Sequence, residues 1–547
     1  MTDLRVRWLG RVDYDEADAL QRALHGAGDD VLLLLEHPHT YTLGRRGDAG
    51  NVLVDPASVG AVLRHADRGG DVTYHGPGQL VAYPIVSLPV WQGGLPDAVA
   101  YVRRLEQVVV TTLADLGVVA TTDPQYPGVW IDGAKVAQVG VRVEGGRTRH
   151  GIAINVDTDA TMFGHIVPCG IVDRSVTSLT EYLGRPVDLR AVADAFVPAF
   201  AAAFSYEALE RQDVAWREVP DDLSAFSRRA AAGESGAVGT PVRLLGRLEA
   251  AGVEAPAPDA TFRRPEWMRV RAEFGPEYRE LKRLVRDLDL HTVCEEAGCP
   301  NISECWSAGT ATFMVLGERC TRACGFCLID TRRPEPVDTA EPDRVAAAVA
   351  RMGLAHAVLT MVARDDLPDG GAAHVAATIA AIRGSSPDTR VEVLISDLRG
   401  DPAALDVVIA AGPDVLNHNL ETVARLQRAV RPSAGYARSL ALLARSAAAG
   451  IVTKSGVMVG LGETRDEVHG ALADLRAVGV DIVTIGHYLR PSSAHLPVVR
   501  WWTPEEFSAL ADHGRALGIA HVESGPLVRS SYHAREGAAA AEGVGAR

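Results

Sequence analysis

Six of the chain's 7 cysteines fall between Cys294 and Cys327. Thiols crowded this closely constrain the chain more than any other feature. An odd cysteine count, in a chain that opens without an export signal, argues against a disulfide framework and for metal binding. Cys320, Cys324 and Cys327 form C-x3-C-x2-C directly after the apolar run Thr312–Leu316. They therefore sit in a loop at the carboxyl end of a strand. Cys294, Cys299 and Cys305 form a second trio, C-x4-C-x5-C. A structural zinc site takes four protein ligands, so three thiolates suit a 4Fe–4S cluster with one iron left open. On the residues alone zinc at either trio stays open, with His291 as a fourth ligand for the upstream one.

The surroundings of the Cys320–Cys327 trio predict an α/β fold. Strand-like runs recur at Thr312–Leu316, Ala357–Val362, Val391–Ile395, Val415–Asn419, Thr453–Gly460, Asp481–Leu489 and Ile519–Glu523. Helical stretches at 342–354, 372–383, 437–449 and 465–478 separate them. Strands alternating with helices make a parallel sheet. So many units without a G-x-G-x-x-G opening favour a full or partial (β/α) barrel over a Rossmann sheet. Sites in such folds lie at the carboxyl ends of the strands. Gly460–Thr464 and Asp369-Gly370-Gly371 are candidate cofactor contacts there.

Residues 1 to 210 read differently, as a mixed α/β domain. Val31–Leu35 is a strand and 97–116 a helix. Asp132-Gly133 turns a hairpin between Val129–Ile131 and Lys135–Val143, and Gly145-Gly146 leads into Gly151–Val156. Residues 211–261 read as a connector, interrupted by a helix near 241–251, and 262–547 as the second domain. The net charge of −15 makes the chain a poor non-specific nucleic-acid binder, because phosphate binding needs basic surface. No apolar run approaches the roughly 18 residues of a membrane span. A cytoplasmic protein with no membrane and no nucleic-acid partner is expected.

The Cys320–Cys327 motif resembles the radical S-adenosylmethionine superfamily. The resemblance implies that the open iron of a 4Fe–4S cluster binds S-adenosylmethionine, whose reductive cleavage yields a 5′-deoxyadenosyl radical. The upstream trio resembles the auxiliary-cluster motif of lipoyl synthase. In that family the fourth ligand is a serine of an Arg-Ser-Ser-Tyr motif, here Arg529-Ser530-Ser531-Tyr532, so Ser530 is its match. Two 4Fe–4S clusters are thereby implied, with Cys294, Cys299, Cys305 and Ser530 on one and Cys320, Cys324 and Cys327 on the other. The match runs from about Arg263 to Ala534, with departures at His487 and Ser396. The implied reaction places sulfur at C6 and C8 of an octanoyl chain, with a reduced ferredoxin or flavodoxin type of protein as electron donor. Breaking an unactivated C–H bond is beyond side-chain acids and bases, so a cofactor must supply the radical.

The seventh cysteine, Cys169, lies in the first half beside three other segments: the Gly-rich run Arg68–Leu80, Lys135 after the Asp-Gly turn, and His150-Gly151-Ile152-Ala153. Together these resemble the octanoyl-[acyl carrier protein]:protein transferase family over about residues 5–205. The fold implied is that of the biotin and lipoate ligase catalytic domain. Cys169 matches the acyl-thioester nucleophile and Lys135 the catalytic lysine. An ammonium near a thiol favours the thiolate. The matching acyl-pocket residues are Arg68, Gly69, Gly70, Asp71, Val72, Thr73, Tyr74, His75, Gln138, Val139, Gly140, Gly151, Ile152 and Ala153. Asp71 and Gln138 depart from the commonest residues. The implied partners are acyl carrier protein, the lipoyl domains of 2-oxoacid dehydrogenases and the glycine cleavage H protein. Read together, the halves are consecutive steps of lipoate assembly. The alternative is a lipoyl synthase whose first half only binds lipoyl domains.

Overall fold

The computed structural model describes residues 3–89, 97–167, 175–216, 242–254, 264–268, 301–307 and 310–545, with isolated residues between 279 and 292. Cys169, Cys294 and Cys299 lie outside the described residues. The chain divides into two compact units, Met1–Trp216 and Arg217–Arg547.

The first unit holds eleven strands among its described residues: β1 (Asp3–Arg11), β2 (Val31–Glu36), β3 (Thr40–Leu43), β4 (Val62–His65), β5 (Val72–His75), β6 (Gln79–Ile85), β7 (Thr121–Thr122), β8 (Val129–Ile131), β9 (Ala134–Glu144), β10 (Arg147–Asn155) and β11 (Ala208–Asp213). Eight of them form one sheet in the order β11-β1-β2-β6-β10-β9-β8-β7, and β4-β3-β5 form a small second sheet. The two predicted hairpins are present. Asp132 and Gly133 have φ of 48° and 84°, and Gly145 and Gly146 have φ of 58° and 82°. Positive φ at both central residues is what a type I′ turn requires.

Period-two alternation divides the sheet. Leu80, Ala82 and Ile154 enter a core with Leu105 and Val109 of α2 (Ala98–Asp115) and with Phe196 and Phe200 of the helix Leu189–Phe204. Val81, Tyr83, Gly151 and Ala153 face the other way, toward α1 (Tyr14–Ala27). The unit runs past residue 210 for a structural reason. β11 pairs in parallel with β1 from Asp3↔Ala208 to Trp8↔Asp213, and Trp216 then stacks on Trp8 at 3.9 Å.

The second unit is singly wound. β12 (His291–Thr292) lies antiparallel to β13 (Thr310–Val315), and six parallel strands follow in sequence order: β14 (His356–Met361), β15 (Arg390–Leu394), β16 (Val415–Asn417), β17 (Val452–Val459), β18 (Ile482–His487) and β19 (His521–Gly525). A helix follows each strand from β13 to β18. This is the expected partial barrel. Two of those helices, Pro402–Ala410 and Pro504–Ala516, are absent from the sequence expectations. The helix Val242–Ala250, expected inside the connector, belongs to this unit. Its Leu248 is fully buried, and the Arg425 guanidinium donates to the Ala251 carbonyl just after it. No described helix is long and apolar enough to cross a membrane.

A charged pair lies inside the barrel. Lys454 Nζ reaches Glu392 at 2.9 and 3.2 Å, with Asn417 donating to Glu392 at 3.2 Å and His356 at 3.5 Å. Burial alone would raise the Glu392 carboxyl, but Lys454 and His356 overcome it and hold the group at about 2. A folded pKa below the unfolded value of about 4.3 stabilises the fold above that pH, and the contribution is lost as pH falls toward about 2. Lys454→Met leaves the carboxylate buried and unpaired, and is expected to cost the unit about 3–5 kcal/mol at pH 7. The unpaired carboxyl then prefers its proton, so the deficit should shrink as pH falls from 7 to 4. Denaturant titration of the intact chain measures this, and a deficit independent of pH would contradict the account.

Candidate active sites

In the second unit every parallel strand delivers its following residues to one end. The C-x3-C-x2-C loop leaves β13 there through Leu316 and Gly317, whose φ are 71° and 83°. Backbone bonds fix the loop against its neighbours. Cys320 N donates to Asp330 O at 2.8 Å, Thr321 N to Ala363 O at 3.0 Å, and Gly325 N to Val430 O at 2.9 Å. Between the cysteines, Arg322 donates to Asp365 at 2.7 and 2.8 Å and to Asp397 at 2.6 Å. These carboxylates follow β14 and β15, so one guanidinium ties the cysteine loop to two adjacent strand ends.

Burial raises all three thiols, Cys324 to about 11 and Cys327 to about 12. Bare, they are neutral, and a bound iron centre would draw off their protons. The donor set fits a cluster better than a lone ion. A structural zinc takes four protein ligands, whereas three thiolates leave one iron of a 4Fe–4S cluster open. Beside them lie groups that the sequence reading missed as site residues. Half-buried Glu421, with φ of 68°, accepts from Asn419 at 3.1 Å, and Arg431 donates to Asn419 O at 2.8 Å. Asn419 and Glu421 closely follow β16, at a strand end where such folds place their sites, and that was the available signal. Of the two Gly-rich candidates, Asp369-Gly370-Gly371 instead caps the helix Ala372–Ser385, with Asp369 accepting from Gly371 N and Ala373 N. Gly460 and Leu461 donate their backbone N–H groups to Glu463.

Ser530 lies beyond β19, in the segment facing the short helix of Cys305. Asn301 donates to Leu527 O at 2.7 Å, and Tyr532 donates to Glu304 at 3.1 Å. The structure thus brings the Ser530 motif and Cys305 together across more than two hundred residues of sequence.

In the first unit a cavity of about 540 Å³, counted out to its open mouth, lies on the sheet face toward α1. Its lining includes Arg68, Gly70, Thr73, His75, Lys135, Gln138, Val139, Gly140, Gly151, Ile152 and Ala153, all expected from sequence. Gly69, Asp71, Val72 and Tyr74 are placed elsewhere. β5 alternates, so Val72 and Tyr74 enter a cluster with Tyr41 and Phe163 while Thr73 and His75 face the cavity. Asp71 accepts from Asp48 N at 3.0 Å and from Asn51 at 2.6 Å. His150, from the quoted His150–Ala153 segment, and Tyr14, Val81, Tyr83 and Pro127, which the sequence did not single out, complete the lining. No sequence spacing links Tyr14 on α1 to β9.

The cavity depends on two glycines. A Cβ on Gly151 would sit 2.1 Å from Ala82 O, and one on Gly140 would sit 2.9 Å from Arg68 Cδ. Arg68 is held by Thr42, donating to its carbonyl and hydroxyl at 2.7 Å each. The histidines are neutral. Burial and the neighbouring His37 and Arg68 hold His75 well below its usual range, and burial also lowers His150. His150 Nε2 donates to Asp67 at 2.7 Å. Asp67, Asp18 and His150 lie close together, but Arg149 at 2.7 Å and Arg142 at 3.4 Å from Asp67 already supply positive charge. Lys135, 7% exposed, donates to Pro127 O at 3.1 Å with its ammonium 4.6 Å from the Trp130 ring. Its backbone pairs with Ser175 and Thr177, which resume the described chain after the segment holding Cys169.

Gly140→Val puts methyl groups where Arg68 Cδ stands, narrowing the cavity. Binding of a medium-chain fatty amide is expected to weaken at least about tenfold. Unchanged affinity by calorimetry would mean that the ligand does not run past Arg68.

Comparison with known proteins follows the same division. Residues 13–201 match the lipoyl protein ligase A/B catalytic domain, 254–299 the N-terminal domain of lipoyl synthase, and 314–475 the radical SAM superfamily. The lipoyl synthase of Rubrobacter xylanophilus is 58% identical over 275 residues, covering 50% of this chain and 86% of that one. The lipoyl synthase of Mycobacterium tuberculosis is 55% identical over 292 residues, covering 53% and 93%. Among solved structures, a bipartite lipoate protein ligase from Thermoplasma acidophilum is 19% identical, with a TM-score of 0.34 and coverage of 39% and 88%.

Proposed function

Because the chain belongs to the lipoyl synthase family through its second half and carries a lipoyl protein ligase A/B catalytic domain ahead of it, we propose that it is a bifunctional enzyme of lipoate assembly. The first half moves an octanoyl group from acyl carrier protein, through a thioester on Cys169, to a lysine of a lipoyl domain. Its acceptors are the lipoyl domains of 2-oxoacid dehydrogenases and the glycine cleavage H protein. The second half then inserts sulfur at C6 and C8 of that chain.

One observation supports the first step above others. An apolar-walled cavity with a single lysine at its lining lies in the unit that carries Cys169. Lys135 takes the proton released as the acceptor amine attacks, and the glycine gaps at Gly140 and Gly151 leave room for the chain. Neutral His75 and His150 add no charge of their own to the cavity wall.

For the second step, Cys320, Cys324 and Cys327 would hold one 4Fe–4S cluster, and Cys294, Cys299, Cys305 and Ser530 a second. Held there by Cys320, Cys324 and Cys327, and with S-adenosylmethionine and a ferredoxin- or flavodoxin-type electron donor, the first cluster would support the radical chemistry needed to break each C–H bond. Arg322 positions the cysteine loop, while Asn419, Glu421 and Arg431 offer the polar contacts that an amino-acid moiety needs. A serine oxygen is a ligand of different softness from thiolate sulfur. That difference marks the second cluster as the sulfur source.

Anaerobic purification with iron and acid-labile sulfide counts tests the second half. About eight of each per chain supports two clusters, about four removes the sulfur donor, and zinc in their place overturns the reading. Cys169→Ser tests the first half. Octanoyl transfer to a lipoyl domain should fall by at least about a thousandfold, with sulfur insertion into a pre-octanoylated domain unchanged. No transfer by the unsubstituted chain would leave the first half a binding module.

A further inference from the structure

Gln138 has no structural reason to be where it is. Both polar atoms of its side chain are shielded from solvent and have no hydrogen-bond partner among the described residues. The neighbouring polar groups are already engaged. His75 pairs with Gln79 at 2.8 Å, Tyr83 with His37 at 2.8 Å, and Lys135 with Pro127 O at 3.1 Å. Thr73 Oγ1, on the same cavity, is unpartnered like Gln138. A buried amide left without partners is a standing cost to the fold. Such costs persist where a ligand repays them.

The strand register says which part of a ligand it meets. Val129 pairs with Ala137 but Trp130 with Lys135, so β9 carries one extra residue at this point. A bulge of that kind reverses the alternation. Lys135 and Gln138, an odd number of residues apart, both line the cavity as a result. Gln138 opposes Ala153, which opposes Val81, so the amide is the one polar side chain in its row across β9, β10 and β6. The next row is Gly140 and Gly151. The amide therefore stands between Lys135 and the glycine gaps. An unbranched acyl chain has one polar group, its carbonyl, at the reacting end.

We propose that Gln138 binds the acyl carbonyl, Nε2–H donating to the carbonyl oxygen, and so sets which atom faces Lys135. This rests on reading the first unit as an acyltransferase. In transfer, the acceptor nitrogen bonds to the thioester carbon and the C–S bond breaks. The sulfur leaves as a thiol with the proton that the nitrogen gives up through Lys135. Gln138 gains and loses no proton. It holds the oxygen while negative charge gathers there, and its Oε1 accepts from the attacking N–H.

The test uses the intact chain and two probes, octanamide and octyl methyl sulfide, which has a similar chain and no carbonyl. Gln138→Leu is expected to weaken octanamide about tenfold and to change the sulfide by less than about twofold. It should also leave the ligand-free melting temperature the same or higher, since it removes an unpartnered amide. Gln138→Glu keeps the shape and an acceptor but loses the donor, and should weaken octanamide as Leu does. In transfer assays the loss should appear in kcat, because the charge on oxygen is largest in the transition state. Octanamide binding that survives Gln138→Leu, or parallel loss of both probes, overturns the proposal. Binding of neither probe by the unsubstituted chain overturns the acyl-site reading itself.

Discussion

Seven strands that all point one way impose the chemistry of the second unit. Parallel strands joined by helices put every carboxyl end on one side. The segments after β13, β14, β15, β16, β17 and β18 must then share that side, whatever their distance in sequence. The cysteine loop follows β13, Asp365 follows β14, Asp397 follows β15, and Asn419 and Glu421 follow β16. Arg322 converts this proximity into fixed geometry, because a planar guanidinium binds two carboxylates only when their separation is right. Burial raises the thiols, and the loop has no other cation between its cysteines. Arg322 is therefore placed by its two aspartates rather than by the sulfurs. Its charge still draws the Cys320 and Cys324 thiols down, but burial outweighs it.

The first unit reaches its site by another route, in which a single inserted residue matters. Were β9 regular, Lys135 and Gln138 would face opposite sides of the sheet. One of them would then lie in the core with Leu105 and Phe200. The extra residue opposite Val129 and Trp130 turns both toward the cavity. The Asp132-Gly133 turn next to it fixes where β9 begins. The bulge has to lie between Lys135 and Ala137 for the lysine to arrive where it does.

Much of this was legible. The apolar runs gave all seven parallel strands to within two residues at most ends, because both faces of such strands are covered and their residues are apolar throughout. The hairpins were legible from Asp132-Gly133 and Gly145-Gly146, where local backbone preference decides. The helix Pro402–Ala410 was not, although Asp401 caps it and Pro402 opens it, because its apolar residues run nearly all round. β11 was missed because Ala208–Asp213 is largely polar, as an edge strand can be. Within the cavity, the residues named from the Gly-rich run divide by parity. A contiguous motif cannot tell Thr73 from Tyr74, whereas a strand sends them to opposite faces. Tyr14 was invisible, since nothing local ties a residue on α1 to a strand more than a hundred residues later.

The two sites differ in what their polar groups cost. Around the cysteine loop the carboxylates are paired, Asp365 and Asp397 with Arg322 and Glu421 with Asn419, although Asp397 Oδ2 and Asn419 Oδ1 accept no hydrogen bond among the described residues. The cavity differs in that its deficit takes in both polar atoms of one neutral side chain. Its apolar walls come from strands that must be apolar on packing grounds, but Gln138 and Thr73 leave hydrogen bonds unmade. A site that must take up a chain, hold it by one carbonyl and release it gains from a bond it can make only with that chain. Stability alone would replace Gln138 with a hydrocarbon side chain. That it remains an amide, one strand row from the lysine, is what the proposed acyl-transfer reading of the first unit accounts for and a binding module does not.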